Sequence, residues 1–266
     1  MASGARGGAI TLIGQGIRMA VQFAAVIVLS RLLTPDDFGI LAMAAVFIGI
    51  GELIRDFGMP TATLQAARLT DQQASNVFWV NSSLGAAAAV ILAAVTPLVV
   101  AFYSEPALAW VLPALAISPL LNGVQAQIQV RLARASNYGI IAGTDVVAQL
   151  VGLGSAVIAA MCGMQYWALV IQVLSAAVTL LASRWIFARW LPSRPRRGQG
   201  SRELLTAGGY FGLAQFLSYA ASNVDAMTIG VRFGADSVGQ YNRAFQLLIG
   251  PVSNLLNPLT QVVVPA

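Results

Sequence analysis

The chain has 266 residues, of which 58% are hydrophobic and only 9% are charged, and its mean hydropathy is +0.75. Soluble domains carry about 25% charged residues, so this composition excludes an ordinary soluble protein and indicates an integral membrane protein. The chain has no histidine, one cysteine and a net charge of +5 that comes entirely from arginine. Disulfides, zinc–thiolate sites and histidine base catalysis are therefore excluded. Nucleic-acid binding is disfavoured, because the arginines form no basic face on a soluble domain.

Eight apolar stretches, each about as long as the 20 residues that cross a bilayer as a helix, follow one another along the sequence. We place them at roughly 9–29, 39–58, 77–102, 107–130, 140–162, 166–188, 204–230 and 241–264. The first is too long for a signal peptide and lacks a cleavage site, so we keep it as a span. The sequence therefore predicts an all-α integral membrane protein with about eight transmembrane helices.

The arginines predict the orientation, because cytoplasmic loops are enriched in arginine and lysine. Counted alternately from the amino end, one side holds eleven of them: Arg6, Arg55, Arg68, Arg131, Arg134, Arg184, Arg189, Arg194, Arg196, Arg197 and Arg202. The other side holds Arg31, Arg232 and Arg243. We therefore expect the amino terminus and the end of the eighth span to be cytoplasmic.

A short segment near the start of the chain recurs about 200 residues later. Arg31–Gly39 (RLLTPDDFG) matches Arg232–Gly239 (RFGADSVG) with one residue gapped, and at an offset of 201 Gln22 falls on Asn223. Both copies stand at the end of an apolar span, in the predicted loop before the next one. This position favours a duplication, as in transporters built from two weakly similar halves.

The linker 189–203 (RWLPSRPRRGQGSRE) separates six predicted spans from two. An even number of spans returns the chain to its starting side, so the second unit begins in the same orientation as the first. We divide the chain into a six-helix lobe with a cytoplasmic basic linker, residues 1–203, and the first two helices of a second parallel-repeat lobe, residues 204–266. The second lobe is expected to be incomplete, because the sequence stops in an apolar run and one full repeat with a third of another would leave helix faces exposed. The alternative is an eight-span protein with a short end.

Polar residues form stripes on several predicted spans. Steps of three and four residues place each set on one helix face. The clearest sets are Thr11, Gln15, Arg18 and Gln22 in the first span, and Ser118, Asn122, Gln125 and Gln129 in the fourth. Such stripes either make hydrogen bonds between helices or face a water-filled cavity. We favour hydrogen bonding for Ser and Thr, and a cavity for runs of Gln and Asn that contain a charge.

Arg18 is the most informative single residue, because it lies near the middle of the first span. Placing an arginine there costs about 2.5 to 3.5 kcal/mol on insertion scales, so something must offset that cost. An anionic ligand or a hydrated cavity would do so, and a planar guanidinium can bind two phosphate oxygens at once. The alternative is that the side chain extends toward the cytoplasmic headgroups.

Acidic residues occur at three further places in the spans. Glu52, Arg55 and Asp56 end the second span at a spacing that lets Arg55 pair with Glu52, which favours a boundary or gate ion pair. Asp145, followed one turn later by Gln149, is a candidate for the cavity wall. Asp225 is expected near the outer mouth of the seventh span.

Two segments, Ser30–Gly39 (SRLLTPDDFG) and Ser222–Ala244 (SNVDAMTIGVRFGADSVGQYNRA), carry a family resemblance. The chain resembles the Wzx-type polysaccharide and lipopolysaccharide biosynthesis flippases of the multidrug/oligosaccharidyl-lipid/polysaccharide exporter superfamily. The family pattern falls here on Asn223, Asp225, Ile229, Gly230, Gly239, Tyr241 and Ala244. The resemblance implies two six-helix lobes that rock around a central cavity. The chain departs from it by lacking four to six further spans, and by having Val231 and Arg232 where the family often has a lysine.

The resemblance implies a flippase and not an enzyme, without cofactor or metal, in the bacterial inner membrane. Its expected cargo is an undecaprenyl-pyrophosphate-linked oligosaccharide for lipopolysaccharide, capsule or exopolysaccharide synthesis. Its expected partners are that lipid-linked oligosaccharide, membrane lipids and the polysaccharide polymerase machinery, with no nucleic acid. We assign the anion contact to Arg18, sugar contacts to Gln15, Gln22, Asn122, Gln125 and Gln129, and the cavity wall to Asp145. The expected gate or family-motif residues are Glu52, Arg55, Asp56, Asn223 and Asp225.

Two other functions stay open. A multidrug cation antiporter of the same superfamily would need buried carboxylates, and the first lobe offers Asp145 as its only acid well inside a span. A membrane glycosyltransferase or ligase of polysaccharide assembly would need acidic catalytic residues on large loops, whereas the longest linker is short and basic. Both features disfavour these alternatives.

Overall fold

The computed structural model describes residues 2–56, 63–64, 69–196 and 215–245, with side chains from residue 13 onward. In these ranges the regular structure is entirely helical. The helices are α1 (Ala2–Leu32), α2 (Pro35–Asp56), α3 (Asp71–Tyr103), α4 (Leu108–Leu115), α5 (Ile117–Arg134), α6 (Tyr138–Met161) and α7 (Trp167–Ala188). Helical residues 215–245 follow, and we refer to them as α8.

Six stretches of the described residues are long and apolar enough to cross a membrane. They correspond to the first six predicted spans, and α4 and α5 together form the fourth. The described residues are thus those of an all-α membrane protein, as predicted. Of the seventh predicted span only 215–230 is described, and of the eighth only 241–245; the rest of both lies outside the described residues.

The bundle has an apolar exterior. Val90, Trp110 and Ile158 are 69%, 71% and 66% exposed, whereas Asn81 and Gln127 are fully buried. Exposed apolar side chains are favourable where the surroundings are lipid, whereas polar side chains in contact with lipid are costly. This distribution is the one expected of a bundle surrounded by hydrocarbon.

Glycines set how closely the helices approach one another. A Cβ on Gly85 would lie 2.6 Å from the carbonyl oxygen of Pro119, and one on Gly123 would lie 2.7 Å from that of Asn81. These two contacts bring α3 and α5 together with no side chain between their backbones, the close approach that small residues permit in membrane helices. They also fix the rotation of α5, and therefore which of its faces looks into the bundle.

The fourth span is broken at Ala116, between α4 and α5. Pro119 has no N–H to donate to the carbonyl four residues earlier, and its ring clashes with that carbonyl. The break separates the strongly apolar α4 from the polar face of α5. It places the polar stripe that begins at Ser118 at the amino end of a new helix.

The start of α2 explains the sequence TPDDFG. Thr34 precedes the helix, and its backbone N–H and hydroxyl both donate to Asp37 Oδ2, at 2.9 and 2.7 Å. The backbone N–H of Asp37 donates in return to the Thr34 hydroxyl at 3.3 Å. This is a capping box, with proline in the favoured first position of the helix. The segment therefore codes for a tight α1–α2 corner.

The structure corrects two parts of the loop analysis. The predicted loop around the second copy of the motif is absent, because residues 232–239 are helical and only Gly234, with φ of 79°, takes the left-handed conformation. Two of the eleven arginines counted as loop residues belong to the bundle: Arg184 is 2% exposed in α7 and Arg55 is 9% exposed in α2. Ion pairs with carboxylates retain them there, and so they carry no information on orientation.

The start of the predicted linker is held against the amino end of α3. Asn76 donates to the Arg196 carbonyl at 2.7 Å and accepts from the Arg196 N–H at 2.9 Å. Gln72 donates to the Arg194 carbonyl and Trp79 to the Ser193 carbonyl, both at 2.9 Å. The polar amino end of α3 thus holds residues 193–196 along its surface.

Candidate functional site

Two arginines share one carboxylate inside the bundle. Arg184 Nη2 lies 2.6 Å from Asp145 Oδ1, and Arg18 Nη1 lies 3.2 Å from Asp145 Oδ2. The Arg184 side chain is 2% exposed, whereas that of Arg18 is 46% exposed. Arg184, Asp145 and Arg18 together carry a net charge of +1. Of the two arginines, only Arg18 is accessible to a ligand.

Arg184 connects three helices. Besides the ion pair with Asp145 on α6, its Nη1 donates to Gln125 Oε1 in a short hydrogen bond and to Gln129 Oε1 at 3.0 Å, both on α5. A buried arginine is tolerated when a carboxylate and further acceptors satisfy it. Arg184 therefore joins Asp145 to the α5 stripe, and Asp145 in turn contacts Arg18.

A second charged group, formed by Glu52, Arg55 and Asp56, has a net negative charge. Arg55 Nη2 lies 2.6 Å from Glu52 Oε2, as the spacing predicts, and 3.0 Å from Asp56 Oδ1. Glu52 Oε1 also accepts a 2.7 Å hydrogen bond from Asn122 Nδ2. Two carboxylates share one arginine, so this group keeps one excess negative charge.

Two adjoining cavities connect these groups. The larger, of about 510 Å³, lies between α1, α2, α6 and α7, and the smaller, of about 380 Å³, extends toward α5. Four residues line both: Arg18, Gln149, Val173 and Ala176. Arg18 therefore stands at the junction, where one guanidinium can reach a ligand in either cavity.

The two cavities differ in chemistry. The smaller is lined by Glu52, Ser118, Asn122 and Asp145, so its polar wall includes both charged groups. The larger has a polar end at Arg18, Gln22 and Gln172, and an apolar end at Leu29, Phe38 and Leu41. Together they form a space with a polar part, a cation at the junction, and an apolar part.

Two polar atoms that line this space lack a protein partner. Gln149 Oε1 and Ser118 Oγ are buried and make no hydrogen bond, although Gln149 lines both cavities and Ser118 the smaller one. A buried polar group without a partner is costly. Water or a hydroxylated ligand in the cavities would satisfy both atoms.

The structure brings together only part of the predicted site. Five predicted residues line at least one of the two cavities: Arg18, Gln22, Asn122, Asp145 and Glu52. Gln125 and Gln129 line neither cavity; their side-chain amide oxygens accept hydrogen bonds from Arg184.

Other predicted residues lie away from this space or on its edge. Gln15 lines neither cavity. Asn223 donates to its own helix at the Tyr219 carbonyl, and Asp225 is exposed and accepts from the Tyr241 hydroxyl. These last two belong to α8, apart from the charged groups.

Sequence reasoning missed Arg184 and Gln172. Arg184 stands near the end of its span, where a loop arginine and a buried one look alike in sequence. Gln172 is an isolated amide without a stripe to mark its face. The available signal was Asp145, because a carboxylate inside a span needs a cationic partner.

Within the described ranges, no three Asp, Glu or Cys side chains are grouped so as to hold a metal ion. The charged groups at the cavities combine arginine with carboxylate, which favours ion pairing over metal ligation.

Residues 28–266 match the model of a family described as polysaccharide biosynthesis protein. This chain belongs to that family. Among its curated relatives, teichuronic acid biosynthesis protein TuaB of Bacillus subtilis is 24% identical over 99% of this chain and 54% of its own length. Lipopolysaccharide biosynthesis protein WzxC of Escherichia coli is 23% identical over 99% of this chain and 54% of its own length.

A further relative of this family is named as a transport protein. Succinoglycan biosynthesis transport protein ExoT of Rhizobium meliloti is 24% identical over 65% of this chain and 35% of its own length. The chain spans about half the length of the first two relatives, and no solved structure matches it.

Proposed function

We propose that this chain forms the substrate-binding first lobe, and part of the second, of a flippase for a lipid-linked oligosaccharide. The single observation that carries the proposal is Arg18, the accessible member of an arginine pair that shares one carboxylate, at the junction of a polar and an amphipathic cavity. A lipid-linked saccharide has a polar sugar, an anionic phosphate linkage and an apolar chain. Each part has a matching surface here.

The anionic linkage is assigned to Arg18. One guanidinium nitrogen contacts Asp145 at 3.2 Å, and its other donors remain for phosphate oxygens. When an anion binds, Asp145 keeps its 2.6 Å contact with Arg184. The carboxylate is therefore never left unpaired, which lowers the cost of exchanging Asp145 for the ligand on Arg18.

The saccharide is assigned to the smaller cavity. Glu52, Asn122 and the unpartnered oxygens of Ser118 and Gln149 supply acceptors and donors for hydroxyl groups. The apolar end at Leu29, Phe38 and Leu41 accepts the start of the lipid chain. Asp145 is shared by two arginines, and Glu52 is paired with Arg55 and accepts from Asn122, so neither carboxylate of the cavity wall is left for a cationic drug. Asp56, the other carboxylate on Arg55, lines neither cavity, and this supports the flippase over the antiporter.

The test is glycan export by the full-length protein in cells that lack it. Arg18→Ala is expected to abolish export with membrane abundance unchanged, and Arg18→Lys to restore it only in part, because lysine lacks the planar fork. The matched control is Arg194→Ala, which removes an exposed arginine on the linker. Normal export by Arg18→Ala, or equal loss in the control, would refute the assignment.

The orientation belongs to the same proposal. We propose a bacterial inner-membrane protein with a cytoplasmic amino terminus, which places the α6–α7 connection outside. Cys162 is exposed at that connection, so it serves as a native probe. In a protein where it is the sole cysteine, a membrane-impermeant maleimide should label intact spheroplasts as fully as lysed ones; labelling only after lysis would reverse the topology.

A further inference from the structure

The two copies of the repeated segment touch each other. In the first copy, Pro35 to Gly39 form the first turn of α2; in the second, residues 235–239 form the turn after the left-handed Gly234. A Cβ on Gly39 would overlap the carbonyl oxygen of Ala235 and lie 2.8 Å from its Cα. The backbones are in direct contact there.

The contact is reciprocal. A Cβ on Gly239 would overlap the carbonyl oxygen of Pro35 and lie 3.0 Å from the backbone nitrogen of Gly39. In the alignment of the two copies, Pro35 corresponds to Ala235 and Gly39 to Gly239. Gly39 therefore contacts Ala235, and the equivalent Gly239 contacts the equivalent Pro35. Such an exchange of equivalent contacts is the pattern of an interface with two-fold symmetry.

One side chain fastens this interface. Arg243 Nη2 donates to the Thr34 carbonyl at 2.9 Å and lies 3.5 Å from the Leu33 carbonyl, in the corner between α1 and α2. Its guanidinium also covers the ring of Phe38 at 3.9 Å. This corner follows the carboxyl end of α1, where the partial negative charge of the helix favours a guanidinium. The equivalent position in the first copy is the buried Met43, so the fastening exists on one side only.

The interface lies at the apolar end of the larger cavity. Phe38 lines that cavity on one side and contacts Arg243 on the other, and Leu29 and Leu41 line the same end. Separation of the two copies would therefore withdraw Arg243 from Phe38 and open the cavity at this end. At the glycines the two backbones touch directly, and beside them Ala235 and Val238 pack in one apolar cluster with Ile40 and Met43. No ion pair of the described residues joins the two segments, so the contact can open without separating charges.

We propose that the reciprocal contact of Gly39 and Gly239, fastened by Arg243, is the gate at the end of the cavity opposite the linker. The inference rests on the proposed function, because a gate presumes transport through the cavity. It predicts that a side chain larger than hydrogen at either glycine prevents closure. Loss of Arg243 weakens closure without adding bulk.

The test measures cavity access and does not depend on glycan export. In the full-length protein with Cys162→Ser, a reporter Val26→Cys is placed in the larger cavity. Its rate of reaction with a membrane-impermeant thiol reagent is measured in intact spheroplasts and in inside-out vesicles. Gly39→Leu and Gly239→Leu should each raise the rate by about tenfold or more from the side that carries Arg31, since overpacking removes the closed population.

The matched control is Gly154→Leu, because a Cβ on Gly154 meets nothing within 4 Å. Arg243→Ala should raise the rate by a smaller factor, and it keeps the inference testable if the leucine variants do not insert. An unchanged rate in the inserted gate variants, or an equal rise in the control, overturns the gate. The two assays separate the two hypotheses. If the glycine variants change access but Arg18→Ala exports glycan normally, the proposed function fails and the gate stands. If Arg18→Ala abolishes export but access is unchanged in the glycine variants, the gate alone fails.

Discussion

The buried ion pair between Arg184 and Asp145 gives the sharpest stability prediction. Replacing Arg184 by methionine removes the 2.6 Å partner of Asp145 and the common donor of Gln125 and Gln129. Breaking a buried pair by removing one partner costs about 3 to 5 kcal/mol. Asp145 retains Arg18 at 3.2 Å, so we expect the lower part of that range.

Asp145→Leu should lower the free energy of unfolding by more than Arg184→Met does. It leaves Arg184, which is 2% exposed, without any carboxylate in contact, and also leaves a second positive charge on Arg18 close by. Replacing both partners by apolar residues, in Arg184→Met with Asp145→Leu, should recover most of the loss, because no unpaired buried charge remains. The double variant is thus expected to be more stable than Asp145→Leu alone.

The assay is reversible unfolding of the purified full-length protein in mixed micelles, with the free energy of unfolding obtained for all four members of the cycle. Arg18→Ala is the exposed comparison, and its ion pair should contribute no more than about 1 kcal/mol. If Arg184→Met unfolds within about 1 kcal/mol of the parent, or if the two single losses add in the double variant, then Arg184 is not the buried anchor described above.

Three further predictions concern the fold. Thr34→Ala removes the α2 capping box and should lower the free energy of unfolding by about 1 kcal/mol, whereas Thr228→Ala, whose hydroxyl bonds only its own helix, should change it little. Gly123→Val, whose Cβ would lie 2.7 Å from a backbone oxygen on α3, should cost about 1 to 3 kcal/mol; Gly154→Val at an open position should not, and equal losses would contradict the packing described. Asn76→Ala frees the backbone of residue 196 and should speed tryptic cleavage after it by about tenfold, while unchanged cleavage would mean that the linker is held by other contacts.

The sequence was sufficient wherever the controlling interaction is local. Apolar length predicted six spans that the structure contains, within a few residues at most ends. The spacing of Glu52 and Arg55 predicted their pairing, because residues three apart share a helix face. The same periodicity placed Arg18 and Gln22 on one stripe, and both line the larger cavity.

The predicted loop arginines show where local reasoning fails. Arg184 lies near the end of its span, and nothing in its neighbours distinguishes a headgroup contact from a buried ion pair. The difference depends on whether a carboxylate on another helix faces it. Asp145 does so from 39 positions away in the sequence.

Tertiary structure alone decided which polar residues form the site. Arg18 and Asp145 are 127 positions apart, and Asn122 and Glu52 are 70 apart. Their meeting depends on the rotation of each helix about its axis, which close contacts such as that of Gly123 with α3 determine. Helical periodicity fixes which residues share a face, but the packing of the bundle fixes where that face points. For this reason Gln22 and Gln125, both on predicted stripes, differ in role: one lines a cavity and the other holds a buried arginine.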